Sequence, residues 1–289
     1  MSGAGVYWTA SHGWTYGCNH PDQSCAQCWA AALIHRWESN PAFHLVSGHL
    51  TDERGRWTGA VHVREPKPFT VKGRPHGIAC NWLGDLFHRQ VPQEVIWSAL
   101  DQVAINAYDR RVHGAEPHAY LFLTHKPARM VVEVLGWLAA RTMSVHEPDD
   151  HMMMPARGTN PIDASPFWSA VWWGATCTRL GTLHAACEIT ELSGNHWLSI
   201  EPIEDLKGLG IYAEGIDWVA AGTSTTAPEL QSDRHVAMLR QLGAECRDGG
   251  IPFWLKQCGA EEVQAIDRQM PDSIRRAFMG GPRLPAEEE

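Results

Sequence analysis

The sequence predicts an α/β fold built on parallel strands, closed into a full or partial (β/α) barrel. Two observations carry this expectation. Short, continuously apolar runs recur along the chain, and segments of helical periodicity lie between several of them. A continuous apolar run fits a strand covered on both faces, whereas a half-exposed strand alternates. Strand and helix in alternation produce a parallel sheet. A doubly wound open sheet has the same alternation and is the other arrangement the pattern allows.

The strand candidates are 77–82, 119–124, 170–176, 196–200, 216–221 and 251–256, with an earlier one near 6–9. Pro92 opens a helix with Val95, Ile96, Ala99, Leu100 and Val103 on one face. Pro127 opens another through Met130, Val131, Val134, Leu135 and Leu138. Proline is pre-organised for the first helical position. A third helix runs from about 229 to 247 and stops at Gly249-Gly250. About seven strands in 289 residues fit one domain spanning 1–289. Two polar segments, about 41–75 and 146–166, read as loop insertions, and about 281–289 reads as a frayed tail.

Charge and composition exclude several classes. Lys and Arg number 24 against 33 Asp and Glu, a net charge of −9, so bulk charge does not attract nucleic acid. Hydrophobic residues at 44% and charged residues at 20% exclude a disordered chain. No apolar run is long enough for a membrane-spanning helix, and no basic residue precedes an apolar stretch at the start, so neither a membrane anchor nor a signal peptide is expected. The expected location is cytoplasmic, where thiols stay reduced. The 8 Cys then read as ligands, reactive thiols or packing residues.

Three of these cysteines stand together. Cys18, Cys25 and Cys28 are spaced six and two residues apart, followed by Trp29 and a helix over 29–38. Thiolates select iron–sulfur clusters or zinc. Three cysteines leave one iron of a cubane open to an outside ligand. A closed zinc site is the alternative, its fourth ligand one of His12, His20 or His35. Polar residues also recur where strands end: Asp85, Thr124 with Lys126, Thr176 with Cys177, Glu201, Thr223 and Lys256. In barrels and open α/β sheets that edge carries the active site.

These residues resemble the radical S-adenosylmethionine superfamily, in which a three-cysteine loop follows the first strand of a (β/α) barrel. The spacing of six and two departs from the usual three and two. The chain is similar in more detail to a phage-associated subfamily with this longer loop. Gly17-Cys18, Asp85-Leu86-Phe87-His88 and Val91-Pro92 match its segments. So do the run from Leu123 to Met130, Ser199-Ile200-Glu201-Pro202, Ile216-Asp217-Trp218-Val219, and the run from Pro252 to Gln257. Two segments differ: Ala221-Gly222-Thr223-Ser224-Thr225 stands where the subfamily has Gly-Gly-Glu-Ser-Gly, and Thr178 where it commonly has Glu.

The resemblance implies a [4Fe–4S] cluster on Cys18, Cys25 and Cys28, with S-adenosylmethionine on the fourth iron. It implies a radical-SAM barrel that cleaves the cofactor reductively to a 5′-deoxyadenosyl radical, fed by a donor such as flavodoxin or ferredoxin. The expected substrate is a modified nucleobase in phage DNA or a nucleotide, in an infected bacterial cell. On this reading Asp85 accepts from the cofactor ammonium, and Thr124 and Lys126 reach its carboxylate. Ser199 and Glu201, with Thr176 beside them, hold the ribose or methionine part, and Trp29 packs on the cluster. Cys177 is a candidate hydrogen-atom donor. A zinc-stabilised binding protein, and a metal-free enzyme using Asp85, Glu201 and a His, are the rivals from the residues alone.

Overall fold

In the computed structural model the apolar runs are strands, and the parallel order expected of them holds. The structure describes residues 8–19, 25, 28–38, 49–64, 67, 69, 73–143, 165–206, 208–223, 232–256 and 269–279. In chain order the elements are β1 (Ala10–His12), β2 (Thr15–Tyr16), α1 (Trp29–Glu38), β3 (His62–Val63), β4 (Gly77–Cys80) and α2 (Gln93–Val112). Next come β5 (Ala119–Thr124), α3 (Pro127–Met143), α4 (Ser165–Ala170), β6 (Val171–Thr176), α5 (Leu180–Ala186) and β7 (Asn195–Ile200). The last are β8 (Trp218–Ala221), α6 (Asp233–Asp248), β9 (Phe253–Leu255) and α7 (Asp272–Met279).

Seven strands form one parallel sheet in the order β1-β4-β5-β6-β7-β8-β9. The order never reverses, as a doubly wound sheet requires. Among the described residues β1 and β9 do not pair, so the sheet is a curled half-barrel, the partial form of the expected barrel.

Side chains alternate across each strand, and the two faces differ in what covers them. Ile78, Tyr120, Phe122, Trp173, Leu198, Val219 and Phe253 share one core with Ile96 and Leu100 of α2, Val134 of α3, Leu183 of α5 and Leu239 of α6. This is the helix-covered, convex face. On the opposite, concave face lie Leu121, Trp172, Trp197 and Trp218, joined by Ile274 of α7 and flanked by Trp8, Trp82 and Trp254. The indoles form a connected series. Ring centroids are 6.5 Å apart for Trp29–Trp8, 4.1 Å for Trp8–Trp82, 6.0 Å for Trp82–Trp197, 5.3 Å for Trp197–Trp218 and 6.2 Å for Trp218–Trp172. Much of the tryptophan excess is thus the floor of the half-barrel.

Several boundaries differ from expectation, each for a physical reason. The first strand among the described residues is 10–12, where Ala10, Ser11 and His12 register against β4; of the expected 6–9, residues 6 and 7 lie outside the described residues and Trp8 joins the indole floor. β4 stops at Cys80 because Asn81 turns the backbone left-handed, at φ +61°. The insertion at 41–75 is more than a polar loop. β3 within it pairs antiparallel with β2, and Leu50 and Trp57 are buried with Ala30, Ala31 and Ile34 of α1. Of the second insertion only Ser165 and Pro166, which open α4, are described; the rest of it, like 281–289, lies outside the described residues.

The floor depends on a glycine. The Trp197 indole lies over Gly174 of β6 and donates from Nε1 to the Phe122 carbonyl at 3.1 Å. A Cβ at position 174 would stand 2.3 Å from that indole and 2.5 Å from the Phe122 oxygen. Gly174→Ala is therefore expected to destabilise the fold by about 1–3 kcal/mol, as overpacked cores do. Urea unfolding measures this, and an unchanged midpoint contradicts the packing described.

Buried thiols predict an alkaline limit. Burial pushes Cys187 up from 9.0 to about 11 and Cys246 up to about 12, and it raises Cys80 and Cys177 as well. These groups ionise in the unfolded chain first, so above that point the native state holds more protons. Their contribution is complete below about pH 9 and is lost as pH rises further. Urea midpoints should be level from neutral pH to about 9 and fall beyond it.

Candidate active site at the strand ends

The C-terminal edge of the sheet begins with two loops run side by side. After β1, the chain is clamped by Asn81, whose Oδ1 accepts from the Trp14 and Thr15 amides at 2.9 and 2.8 Å and whose Nδ2 donates to Thr15 Oγ1 at 2.7 Å. Gly17 then bridges Gly84 in the loop after β4. Neither glycine tolerates a side chain. Gly17 has φ +95° and a Cβ there would stand 2.2 Å from the Ala60 carbonyl; one at Gly84 would stand 2.7 Å from the Gly17 carbonyl. The residues that follow are Cys18 and Asp85. The close approach of two glycines thus sets a thiol beside a carboxylate.

The other two cysteines come from the start of α1. The Cys28 amide donates to the Cys25 carbonyl at 3.3 Å, and the Cys28 carbonyl accepts from Ala32 at 3.1 Å as the helix begins. Cys18 and Cys25 are buried, Cys28 is half-buried, and none of the three is in a disulfide. Cys18 and Cys28 share an apolar cluster with Ala30, Ala31, Ile34, Leu50 and Trp57. Burial pushes the Cys18 thiol far up, and Asp85, Cys25 and Cys28 push it in the same direction. Cys25 and Cys28 therefore act on Cys18 electrostatically. Ionised beside a carboxylate, these sulfurs would call for a positive centre, and soft sulfur donors suit iron–sulfur or zinc. The donor set fits such a group. Among the described residues no three Cys, His, Asp or Glu side chains stand close enough to hold a metal ion as they are.

The candidate histidines are engaged elsewhere or undescribed. His12 packs between Trp14 and Phe69, each ring 4.7 Å away. His35 Nδ1 bonds Thr51 Oγ1 at 2.9 Å. His20 lies outside the described residues.

Asp85 is buried and tied to β5. Its carboxylate accepts from Thr124 Oγ1 at 2.7 Å, the His125 amide at 3.1 Å and its own Phe87 amide at 3.0 Å. These fill three of about four acceptor sites of a carboxylate. Thr124 Oγ1 in turn accepts from the Lys126 amide at 2.8 Å. Asp85, Thr124 and Lys126 thus form one network joining the ends of β4 and β5.

A second network lies across the mouth. Ser199 and Glu201, at the end of β7, both accept from Lys256 Nζ, at 2.7 and 2.9 Å. Lys256 follows β9 and its side chain is only 6% exposed. Thr176, at the end of β6, pairs with Ser199 in register. Trp29, 44% exposed at the start of α1, stacks on Trp8 and so connects the cysteine corner to the indole floor.

Cys177 is not brought to this mouth. It follows Thr176 and so points to the opposite face, buried in the helix-covered core cluster that contains Leu183 and Ile189. Thr178 is buried and its hydroxyl bonds Glu204 at 3.3 Å. The residues missed as site members are Lys256, Asn81 and the indoles of the floor. Lys256 was visible as a polar strand end, but its reach to β7 depends on sheet register that no local pattern encodes.

A protein-family model matches residues 4–281, that of a protein of unknown function (DUF5131). No curated protein and no solved structure matches the chain. No helix of the described residues is long and apolar enough to cross a membrane.

Asp85→Ala should destabilise the fold as well as alter the site. It leaves the Thr124 hydroxyl and the buried amides of Phe87 and His125 without their acceptor, which costs about 1–3 kcal/mol. Thr124→Val removes one of the three bonds and should cost less. A urea midpoint unchanged in Asp85→Ala contradicts the role of this carboxylate as a strut.

Proposed function

The chain belongs to the DUF5131 family, and we propose that it is a radical S-adenosylmethionine enzyme whose Cys18, Cys25 and Cys28 hold a [4Fe–4S] cluster. The observation that supports the reading is that three cysteines, none in a disulfide, lie at the C-terminal edge of a parallel half-barrel, with Cys25 and Cys28 near enough to act on the Cys18 thiol. Three thiolate ligands suit a cubane that keeps one iron for an outside ligand. When bound, the cluster supplies one electron to S-adenosylmethionine, releasing methionine and a 5′-deoxyadenosyl radical that takes a hydrogen atom from the substrate.

The chain's own residues bind, orient and exclude water. Asp85 has an acceptor position beyond its three protein donors, suited to the cofactor ammonium. Lys126 is the cation of this network for the cofactor's carboxylate, while Thr124 spends its one hydroxyl proton on Asp85 and so positions that acceptor. Ser199, Glu201 and Thr176 line the other side of the mouth for the ribose or methionine part. Trp29 shields the cysteine corner, and the indole floor keeps water from the interior. Partly buried indoles at the mouth also favour a planar substrate, since rings stack on bases without sequence preference. This supports a modified nucleobase in DNA or a nucleotide as the substrate class, as does the similarity to phage-associated proteins. A net charge of −9 favours an unpaired base or free nucleotide over a long duplex footprint. An electron donor such as flavodoxin or ferredoxin, in the cytoplasm of an infected cell, completes the reading.

Anaerobic reconstitution tests it. The expected result is about four iron and four sulfide per chain. Cys18→Ala, Cys25→Ala and Cys28→Ala should each lose them, while Cys80→Ala and Cys246→Ala keep them. The reduced protein should then form 5′-deoxyadenosine from S-adenosylmethionine, faster with substrate than without. One zinc and no sulfide, or a full cluster in Cys28→Ala, would overturn the proposal.

A further inference from the structure

We infer that Lys256 is the positioning residue of the site's far wall, holding Glu201 in place and fixing Ser199 as a hydrogen-bond donor toward the mouth. This rests on the reading above, in which Ser199 and Glu201 meet the nucleoside or amino-acid part of S-adenosylmethionine.

The backbone anchors Lys256 first. Its amide donates to the Ala221 carbonyl at 2.8 Å, extending the pairing of β9 with β8 by one residue. Its side chain then crosses β8 entirely and ends on β7, with Nζ 2.7 Å from Ser199 Oγ and 2.9 Å from Glu201 Oε2. The register explains how it can cross. Ser199 pairs with Ala220, and Ala221 pairs with Leu255, so the strand between offers only Ala220 and Gly222 on the side that the lysine crosses.

The chemistry follows from what an ammonium can do. It donates and never accepts. Ser199 Oγ therefore spends a lone pair on Lys256, and the hydroxyl proton is left to donate to an acceptor. Glu201 is held by an ion pair to a side chain that is itself only 6% exposed, so its carboxylate is locked in orientation. Lys256 thus acts through Ser199 and Glu201 and does not itself touch the reacting atoms. The wall it builds suits a ligand with hydroxyl or carboxylate oxygens, as the ribose and methionine ends of the cofactor have.

The test measures S-adenosylmethionine affinity by equilibrium dialysis on reconstituted protein, with iron and sulfide assayed in the same samples. Lys256→Met should weaken binding about tenfold, the equivalent of about 1.4 kcal/mol, with cluster content unchanged. Lys256→Arg should recover part of the loss. Because Lys256→Met takes the ammonium away from the Glu201 carboxylate, Lys256→Met/Glu201→Gln serves as the folding control: it should melt like wild type yet bind as weakly as the single variant. Adding Ser199→Ala to Lys256→Met should cost little more, since the two act as one unit. Wild-type affinity in either Lys256→Met protein, or losses that multiply when Ser199→Ala is added, would overturn the inference while leaving the cluster intact. Wild-type protein without iron and sulfide would instead overturn the proposed function, and this role with it.

Discussion

The whole strand-end edge depends on one steric constraint, the contact between Gly17 and Gly84. A Cβ on Gly84 would collide with the Gly17 carbonyl, and one on Gly17 would collide with the Ala60 carbonyl on its other side, so Gly17 is held between two backbones. Asn81 holds the approach from below with three hydrogen bonds to Trp14 and Thr15. Gly17 and Cys18 are also tied to the insertion, since the Cys18 carbonyl accepts from Gly59 at 3.1 Å. That insertion is itself docked on α1, where the Leu50 amide donates to Glu38 at 2.7 Å. The helix that follows Cys28 and the loop carrying Cys18 are therefore parts of one buttressed corner. The small residues are needed because function here asks for backbone proximity, which any side chain would prevent.

The mouth has two walls of different character. On the β4–β5 side, Asp85 gathers donors from three residues. On the β7–β9 side, Lys256 gathers acceptors from two. Each wall pairs most of its polar groups internally and leaves an acceptor position on Asp85 and the Ser199 hydroxyl proton for a ligand. Between them the concave face is apolar and aromatic. A ligand that bridges the walls would meet oriented hydrogen-bond groups at its ends and flat rings along its middle, with little reorganisation of the protein.

Much of the fold was legible because it was local. The strand Ala119–Thr124 and the helix Trp29–Glu38 follow directly from a continuous apolar run and from periodicity after the cysteines. The short edge strand β1 was not legible, since Ala-Ser-His has no strand signature and its partner lies 68 residues on, at Ile78 for Ala10. The polar strand ends were visible too, but their partners were not. Lys256 meets Ser199 across 57 residues and an intervening strand. Parity could have decided one case in advance. Thr176 and Cys177 are adjacent in extended chain, so only one of them can face the mouth, and the apolar neighbours of Cys177 assign it to the core.

The connected indoles on the concave face have an optical consequence. Six rings, each within 6.5 Å of the next, run from Trp172 to Trp29. Excitation absorbed by any of them migrates among neighbours at such distances faster than it is emitted. Trp29 is the most exposed of the series and is bonded in sequence to Cys28, so its emission lies furthest to the red and collects that energy. The fluorescence of the protein is thereby weighted toward one corner of the molecule, and an absorbing centre held by the neighbouring sulfurs would darken the whole array at once.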